Sequence, residues 1–540
     1  MPEKQSETPA ESAPQGSASG GPPDAGQASP QASQAEAQTI NSTKTDESSK
    51  SEATPTAAAP EGFFAKFTVL KSAIHELWSI FACKILAIVA YGLCNSTIIL
   101  WLSKDLGWSD VQAGVIVATW STILSLVTVM IGSLVDTIGI KKSLIIGFVI
   151  CIFSRLVMSF STVNAIVIPL GLMPLAVGEA LMTPVMVAAI KLYTTAAQRS
   201  MAFSLFYTMM NIGFAISGFC FDKVRQTLGE DGHLSLAGFC DLSTYQALIF
   251  FGFICTIPNL FIVWLGIREK ASVDADGNYV ELEHKTSEAK NALESCVNAL
   301  VEWKRIFFSL WKQEAFYKFL AFLTIVVGVR LIFYHFHYTF PKYGIRELGP
   351  GAPIGQLWGV LNPVLIIILV PIVGALTQKL SAYKTVVIGS TIAAIGPLFM
   401  AAPSHWFQGL ADGPLGHFIA HTWLHVPGTT VNPLYVSIFF ASVIISIGEA
   451  FYSPRLYEYP AAIAPKGQEG SYMSLSILPY FVAKFFVGML SGWLLQTFCP
   501  EVGPRASHYI WLIVGLMALA TPLCLLVFRK FIQVHEEGRD

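Results

Sequence analysis

Gly178-Glu179-Ala180-Leu181-Met182-Thr183-Pro184 and Gly448-Glu449-Ala450-Phe451-Tyr452-Ser453-Pro454 both read G-E-A-x-x-[S/T]-P. Each lies inside a long apolar run, where an ionisable residue is costly unless it is paired or hydrated. A second echo keeps the same order. Gly132-Ser133-Leu134-Val135-Asp136-Thr137-Ile138-Gly139-Ile140-Lys141-Lys142 parallels Gly374-Ala375-Leu376-Thr377-Gln378, with Lys384 downstream. One short match can arise by chance, but two in register indicate a duplicated unit.

The runs around these matches are long enough to cross a bilayer, which takes about 20 apolar residues as a helix. Twelve stretches qualify: 80–102, 111–135, 143–161, 164–190, 201–221, 244–266, 315–340, 354–378, 384–402, 433–456, 471–497 and 507–530. The longest polar connection, 267–314, is rich in Lys, Glu and Asp and holds the turn-like Asp274-Ala275-Asp276-Gly277-Asn278. It divides the spans six and six. The repeated motif then falls in spans four and ten, at equivalent places. The expected fold is all-α and membrane-embedded, with twelve transmembrane helices in two pseudo-symmetric six-helix bundles.

Composition agrees. Of 540 residues, 53% are hydrophobic and 13% charged, about half the charge of a soluble domain. Residues 1–60 contain no Phe, Trp, Tyr, Leu or Val and read as a disordered cytosolic tail with no signal peptide. The expected organisation is the tail 1–60, a bundle at 61–266, a cytosolic loop at 267–314, a second bundle at 315–532 and a cytosolic tail at 533–540. Lys141, Lys142, Lys191, Arg199, Lys379, Lys384, Lys466, Arg529 and Lys530 weight one side and place both termini in the cytosol, with the plasma membrane as expected residence. A net charge of −2 argues against nucleic acid. No CxxC pair or zinc-finger spacing occurs, so no metal or cofactor is called for. Cys220, Cys240 and Cys499 lie near one membrane side, where a disulfide is an option. The sequon Asn95-Ser96-Thr97 falls inside a span.

Twelve spans, a 6+6 split and the loop G-x-L-x-D-x-x-G-x-K-K resemble the major facilitator superfamily over roughly 80–530. Its fold would be implied, with Gly132, Asp136, Gly139, Lys141 and Lys142 as a gating loop on the cytosolic side. A plain positive-inside turn is the alternative. A narrower likeness joins Gly178 to Pro184, Arg199, Ala202-Phe203-Ser204-Leu205-Phe206-Tyr207, Asn211-Ile212-Gly213, Gly448-Glu449, Ser453-Pro454 and Ala464-Pro465-Lys466-Gly467. These residues distantly resemble the proton-coupled oligopeptide transporters. That family's first span carries E-x-x-E-R-F-x-Y-Y-G. Here Tyr91-Gly92 matches its end, Cys83, Leu86 and Ala87 occupy its charged positions, and Thr183 stands where the family has a span-four Lys.

The intramembrane charges are the candidate chemistry. Glu179 and Glu449 each precede a proline by five residues, and proline bends a helix locally. They are proton-coupling candidates together with His335; a structural ion pair, such as Glu449 with Lys484, is the alternative. Lys84, Tyr91, Asn95, Tyr207, Asn211, Arg330, Tyr334 and Lys484 are substrate-binding candidates. Arg330, Tyr334, His337 and Tyr338 share a face at i, i+4, i+7 and i+8. Lys84 either binds an anionic group or snorkels to the interface, and Arg155 reads as a scaffold residue. His417, His421 and His425 are four apart and would share a helix face, but the aromatics around them read as an interfacial segment. Gly488 and Gly492 form a GxxxG close-packing motif.

No P-loop and no nucleophile–base constellation appears, so an enzyme is not expected. Gly213 to Gly218 lacks the Pro of an antiporter motif, which points to symport or uniport. The reading is a secondary transporter of a small polar or charged solute, by proton symport and alternating access in the lipid bilayer. Peptides or amino acids lead. An organic-anion transporter, or a non-transporting sensor on the same scaffold, remains open.

Overall fold

The computed structural model describes residues 70–532 apart from 237, 239, 275–276, 282–296, 298–300, 302–307, 309–313, 378–379 and 464–477. The chain divides between Pro60 and Glu61, and everything described belongs to the second unit.

Eleven described helices are long and apolar enough to cross a membrane. A further helix, Leu478–Phe498, occupies the place of span eleven. The first six spans are His75–Lys104, Asp110–Ile138, Ile140–Phe160, Asn164–Leu192, Ala196–Leu228 and Thr244–Gly266. Spans seven, nine and ten are Glu314–Tyr338, Ala382–Ala401 and Pro433–Ile463, and span twelve is His508–Val527. Span eight runs from Gly355 to Leu376. The expected segments are recovered except for residues 471–477 of span eleven, which with the 464–467 motif lie outside the described residues, and several helices extend beyond their expected ends. Span five runs on to Leu228 because its last turns are held by polar contacts that hydropathy cannot foresee.

Local chemistry explains several helix ends. Thr195 with Gln198, and Ser243 with Gln246, form capping boxes that open spans five and six. Only Gly139 joins spans two and three, at a φ of +87° that L residues rarely adopt. Lys141 and Lys142 follow on the surface of span three. The side chains of Gly132 and Asp136 lie outside the described residues.

The duplication is visible in the packing. Spans 1·6, 3·4, 3·6, 1·5 and 2·4 pack in the first half, and spans 7·12, 9·10, 9·12, 7·11 and 8·10 repeat these pairings in the second. The repeated motif marks one such crossing. A Cβ at Gly178 would lie 3.0 Å from the Gly147 carbonyl oxygen, and one at Gly448 would lie 2.6 Å from that of Gly389. The motif glycine thus lets two backbones touch in each half, and the adjacent glutamate is carried inward.

The halves meet where spans 2·11 and 5·8 cross. Gly488 and Gly492 belong to the first crossing, where a Cβ on Gly114 would lie 2.5 Å from the Gly488 oxygen. Gly218, Gly355 and Gly359 form the second. Chain alternation puts the loops that follow odd-numbered spans on one face and those that follow even-numbered spans on the other; the two are called the odd and even faces.

Two connections carry folded structure. His233–Leu236 pairs antiparallel with Cys240–Ser243 on the odd face. Ala271–Val273 pairs with Tyr279–Glu281 at the start of the central connection. In this second hairpin Asn278 N–H donates to the Asp274 carboxylate at 2.8 Å, the turn expected from the sequence. Arg268 beside it pairs with Glu76 of span one, which ties the hairpin to the first half.

Candidate functional site

Lys84 of span one is 1% exposed. Its Nζ donates to Thr183 Oγ1 on span four at 3.2 Å and lies 4.5 Å from the centre of the Phe206 ring on span five. A hydroxyl and an aromatic face thus hold an ammonium away from water. This geometry replaces the snorkelling alternative. One turn before Thr183, Glu179 forms a buried ion pair with Arg155 of span three, whose Nη1 also donates to Thr256 Oγ1 on span six at 2.9 Å. Arg155 is therefore the scaffold partner the sequence suggested, and Glu179 is bound to it.

The second half treats its glutamate differently. Arg155 lies eight residues after Gly147; eight residues after Gly389 stands Pro397. Glu449 instead accepts a hydrogen bond at 3.0 Å from Asn362 Nδ2 on span eight, which also donates to Ser446 Oγ. Arg330 of span seven is within electrostatic reach of Glu449. Its Nη2 donates to Ser453 Oγ at 3.3 Å, and its guanidinium lies 5.7 Å from the Tyr452 ring centre. The expected Glu449–Lys484 contact is not the one formed; Lys484 Nζ lies 5.6 Å from the Tyr334 ring centre.

Aromatic residues connect these groups. Tyr334 stacks on Tyr338 at 6.5 Å, and the Tyr338 hydroxyl meets Ser121 of span two at 2.7 Å across the seam. Tyr91 lies edge-on to Phe214 and within electrostatic reach of Glu179, Tyr334 and Tyr338. Tyr207 packs across the seam against the cluster of Ile366, Val373 and Ala450. The remaining candidates are less engaged. Asn211 spends its amide on the Tyr207 carbonyl of its own helix. Asn95 is buried. His335 is fully buried with Nδ1 on Thr339 Oγ1 at 2.8 Å, apart from the charged groups. His337 lies against Phe333, ring centres 4.5 Å apart, and within electrostatic reach of Lys484. It lines a small cavity of about 40 Å³ with Ser96, Phe214 and Trp358, between spans one, five, seven and eight.

Two other expectations change. His417 and His421 lie 5.3 Å apart, but a π-helical stretch spans Phe418–Trp423, and His425 falls beyond it with a φ of +52°. The three rings therefore do not share an α-helical face. Cys220, Cys240 and Cys499 are unbridged.

Polar contacts between the halves gather at the odd face. Asp110 of span two meets Lys342 at 2.6 Å and Arg346 at 2.8 Å, both on the short helix Phe340–Leu348. Lys104 meets Glu501 at 2.6 Å, with the charges reversed. Burial pushes the Lys342 amine below its ordinary range, against the pull of Asp110. Asp222 of span five accepts the backbone N–H groups of Gly355 at 2.8 Å and Gln356 at 2.6 Å. Arg225 donates to the Ala352 carbonyl at 3.1 Å, and Glu230 accepts the Gly351 N–H at 3.1 Å. Sequence reading passed over Asn362 and Asp222. A buried amide in an otherwise apolar span was the available signal for the first; Asp222 lies one residue beyond the expected end of its span.

Two pseudo-symmetric helical bundles, with charges at their seam and a closed odd face, define a polytopic membrane transporter rather than an enzyme. The sequence profile of the Major Facilitator Superfamily matches residues 80–419, and the chain belongs to that family. No curated protein matches it in sequence. Solved structures do share its fold. A POT family transporter in complex with 5-aminolevulinic acid is 15% identical, covers 85% of this chain and 96% of its own, and superposes with a TM-score of 0.62. A peptide transporter POT in complex with sulfate is 13% identical, with 86% and 98% covered and a TM-score of 0.63. A structure described for substrate recognition in proton dependent oligopeptide transporters is 16% identical, with 85% and 99% covered and a TM-score of 0.59.

Proposed function

We propose that the chain moves a small carboxylate-bearing solute through the seam by alternating access, coupled to proton symport. The observation that carries this reading is the charge inventory. Among the described residues of the seam, Lys84, Arg155, Arg330 and Lys484 stand against two carboxylates: Glu179, paired with Arg155 and within electrostatic reach of Lys84, and Glu449, within reach of Arg330. The cations suit a carboxylate, with Arg offering a planar fork. Glu449 and the Asn362 oxygen suit an amine. Amino acids and short peptides fit both sets, and neighbours described with 5-aminolevulinic acid and sulfate support a small charged cargo. The surplus of cations favours a second reading, an organic anion carried by the same residues. Glu449, with a neutral amide as its hydrogen-bond partner, is the better proton carrier of the two repeat glutamates. The even face is cytosolic and holds both termini, in the plasma membrane. Residues 61–266 and 315–532 rock about the loop 267–314 as separate bundles.

The test is ligand-dependent melting of the purified full chain at pH 5.5 and 7.5. A ligand at one hundred times its Kd stabilises the native state by about 2.7 kcal/mol. Amino acids, peptides or carboxylates should raise the melting temperature, and sugars and nucleosides should not. In Glu449→Gln, zwitterions should lose their shift and amine-free carboxylates should keep it. In liposomes the same variant should lose uptake driven by a proton gradient and retain exchange of amine-free carboxylates. Stabilisation by neutral solutes alone refutes the cargo, and gradient-driven uptake at the parent rate refutes the role of Glu449.

A further inference from the structure

Among the described residues, Asp222 is the carboxylate that accepts two backbone N–H groups across the seam. It is fully buried, and its two oxygens accept backbone N–H groups of Gly355 and Gln356 in the opposite half, with the Gln356 side chain also within hydrogen-bonding reach. Gly355 and Gln356 lie in the first turn of span eight. N–H groups there have no partner within their own helix, and the helix dipole favours negative charge beside them. One half thus supplies the N-terminal cap of a helix in the other.

We propose that Asp222 is the state-specific lock of the odd face, and that it holds the transporter closed on that side by capping span eight in trans. Three observations converge on one six-residue segment. Glu230 takes the Gly351 N–H, Arg225 takes the Ala352 carbonyl, and Asp222 takes the Gly355 and Gln356 N–H groups. All three side chains come from the end of span five or just beyond it, and each meets a main-chain atom there. The approach depends on glycine. A Cβ on Gly355 would stand 2.4 Å from the Gly218 oxygen, and one on Gly218 would stand 2.8 Å from the Gly355 oxygen. The contact therefore exists only while the two backbones touch. When the odd face opens, the N–H groups and the carboxylate separate and both require water.

The placement also follows from topology. Inverted three-helix repeats within each half relate span two to span five and span eight to span eleven. Asp136 ends span two at the even face, and Asp222 ends span five at the odd face. The two aspartates are topological counterparts, one for each side of the membrane. Among the described residues, the cation beside Asp222 is Arg225, at 3.4 Å, and it is itself bonded to Glu230 and Ala352. Tyr435 of span ten is within electrostatic reach. The lock thus relies on the helix end rather than on a dedicated ion pair.

The test reads accessibility in the purified full-length protein. A cysteine placed at Ser96, in the cavity next to the lock, reports the odd side, and one placed at Tyr207 reports the even half of the seam. The same labelling of the chain without an added cysteine gives the background from the native thiols. With a membrane-impermeant maleimide, Asp222→Asn and Asp222→Ala should speed labelling at position 96 at least tenfold and leave position 207 unchanged or slower. A general loosening would speed both positions, and that outcome, like no change at either, overturns the proposal. Gln356→Pro removes the backbone donor and the side-chain amide together, in a helix's first turn where proline is tolerated, and leaves Asp222 intact. It should move position 96 in the same direction by about threefold or more, and an unchanged rate overturns the lock even if the Asp222 variants fold poorly. The proposal rests on the rocking of two halves but needs no cargo. A failed ligand screen with a positive labelling result would therefore refute the substrate reading alone.

Discussion

Replacing Arg155 by Met should be among the most damaging single changes in the first half. Arg155 is fully buried, pairs with Glu179 and donates to Thr256. Removing one partner of a buried pair costs about 3–5 kcal/mol, because the other charge is stranded. The chain can escape by protonating Glu179. From an ordinary glutamate value of about 4.3, at about 1.36 kcal/mol per pH unit, that costs about 3.7 kcal/mol at pH 7 and about 1.6 kcal/mol at pH 5.5. The expected deficit is therefore about 4 kcal/mol at pH 7, falling to about 2 kcal/mol at pH 5.5. Arg155→Met with Glu179→Gln should recover most of it, since neither side of the pair is then charged. Unfolding free energies in micelles, measured at both pH values, decide the matter. A single variant that loses under about 1 kcal/mol, or a double variant as unstable as the single, would refute the view that this pair is structural and that repeat-equivalent glutamates have different jobs.

Two further outcomes follow from the seam and the loops. Gly114→Ala would push a methyl group against the Gly488 carbonyl and should cost about 1–3 kcal/mol, whereas Gly374→Ala, whose Cβ meets nothing within 4 Å, should be near neutral; equal melting temperatures for the two would contradict the crossing. Asp105, on the odd-face connection, has its carboxyl pushed up to about 6 by burial, against the bond from Ser243 at 2.5 Å. A raised value means that the folded state prefers the protonated acid. Its contribution is then full below the ordinary range near 4 and is lost as pH climbs through about 6. Thermal unfolding from pH 4.5 to 7.5 should show this loss in the parent and a flatter profile in Asp105→Asn; parallel profiles would exclude the effect.

The spans were readable because a bilayer imposes a length and a composition that hydropathy records directly. The repeat was readable for a related reason. Gly178 and Gly448 must admit a neighbouring backbone, so the residue type is dictated locally and recurs in both halves. Lys84, Arg155, Glu179, Arg330, Glu449 and Lys484 stood out because a charge in a span is rare and costly.

What each charge does was set by residues distant in sequence. Glu179 and Glu449 are indistinguishable within their motifs. Only packing puts Arg155 beside the first and Asn362 beside the second, because the eighth position after the crossing glycine is Arg in span three and Pro in span nine. Lys84 read equally well as an interfacial or a buried cation until span four brought Thr183, and span five brought Phe206, around its Nζ. The closure of the odd face was wholly a tertiary matter. Asp222 and the turn that donates to it are 133 residues apart, and no local pattern encodes which helix end a carboxylate will meet. Hydropathy and residue volume act along one helix and survive in the sequence; ion pairing and capping between helices depend on their crossing, which only the folded bundle determines.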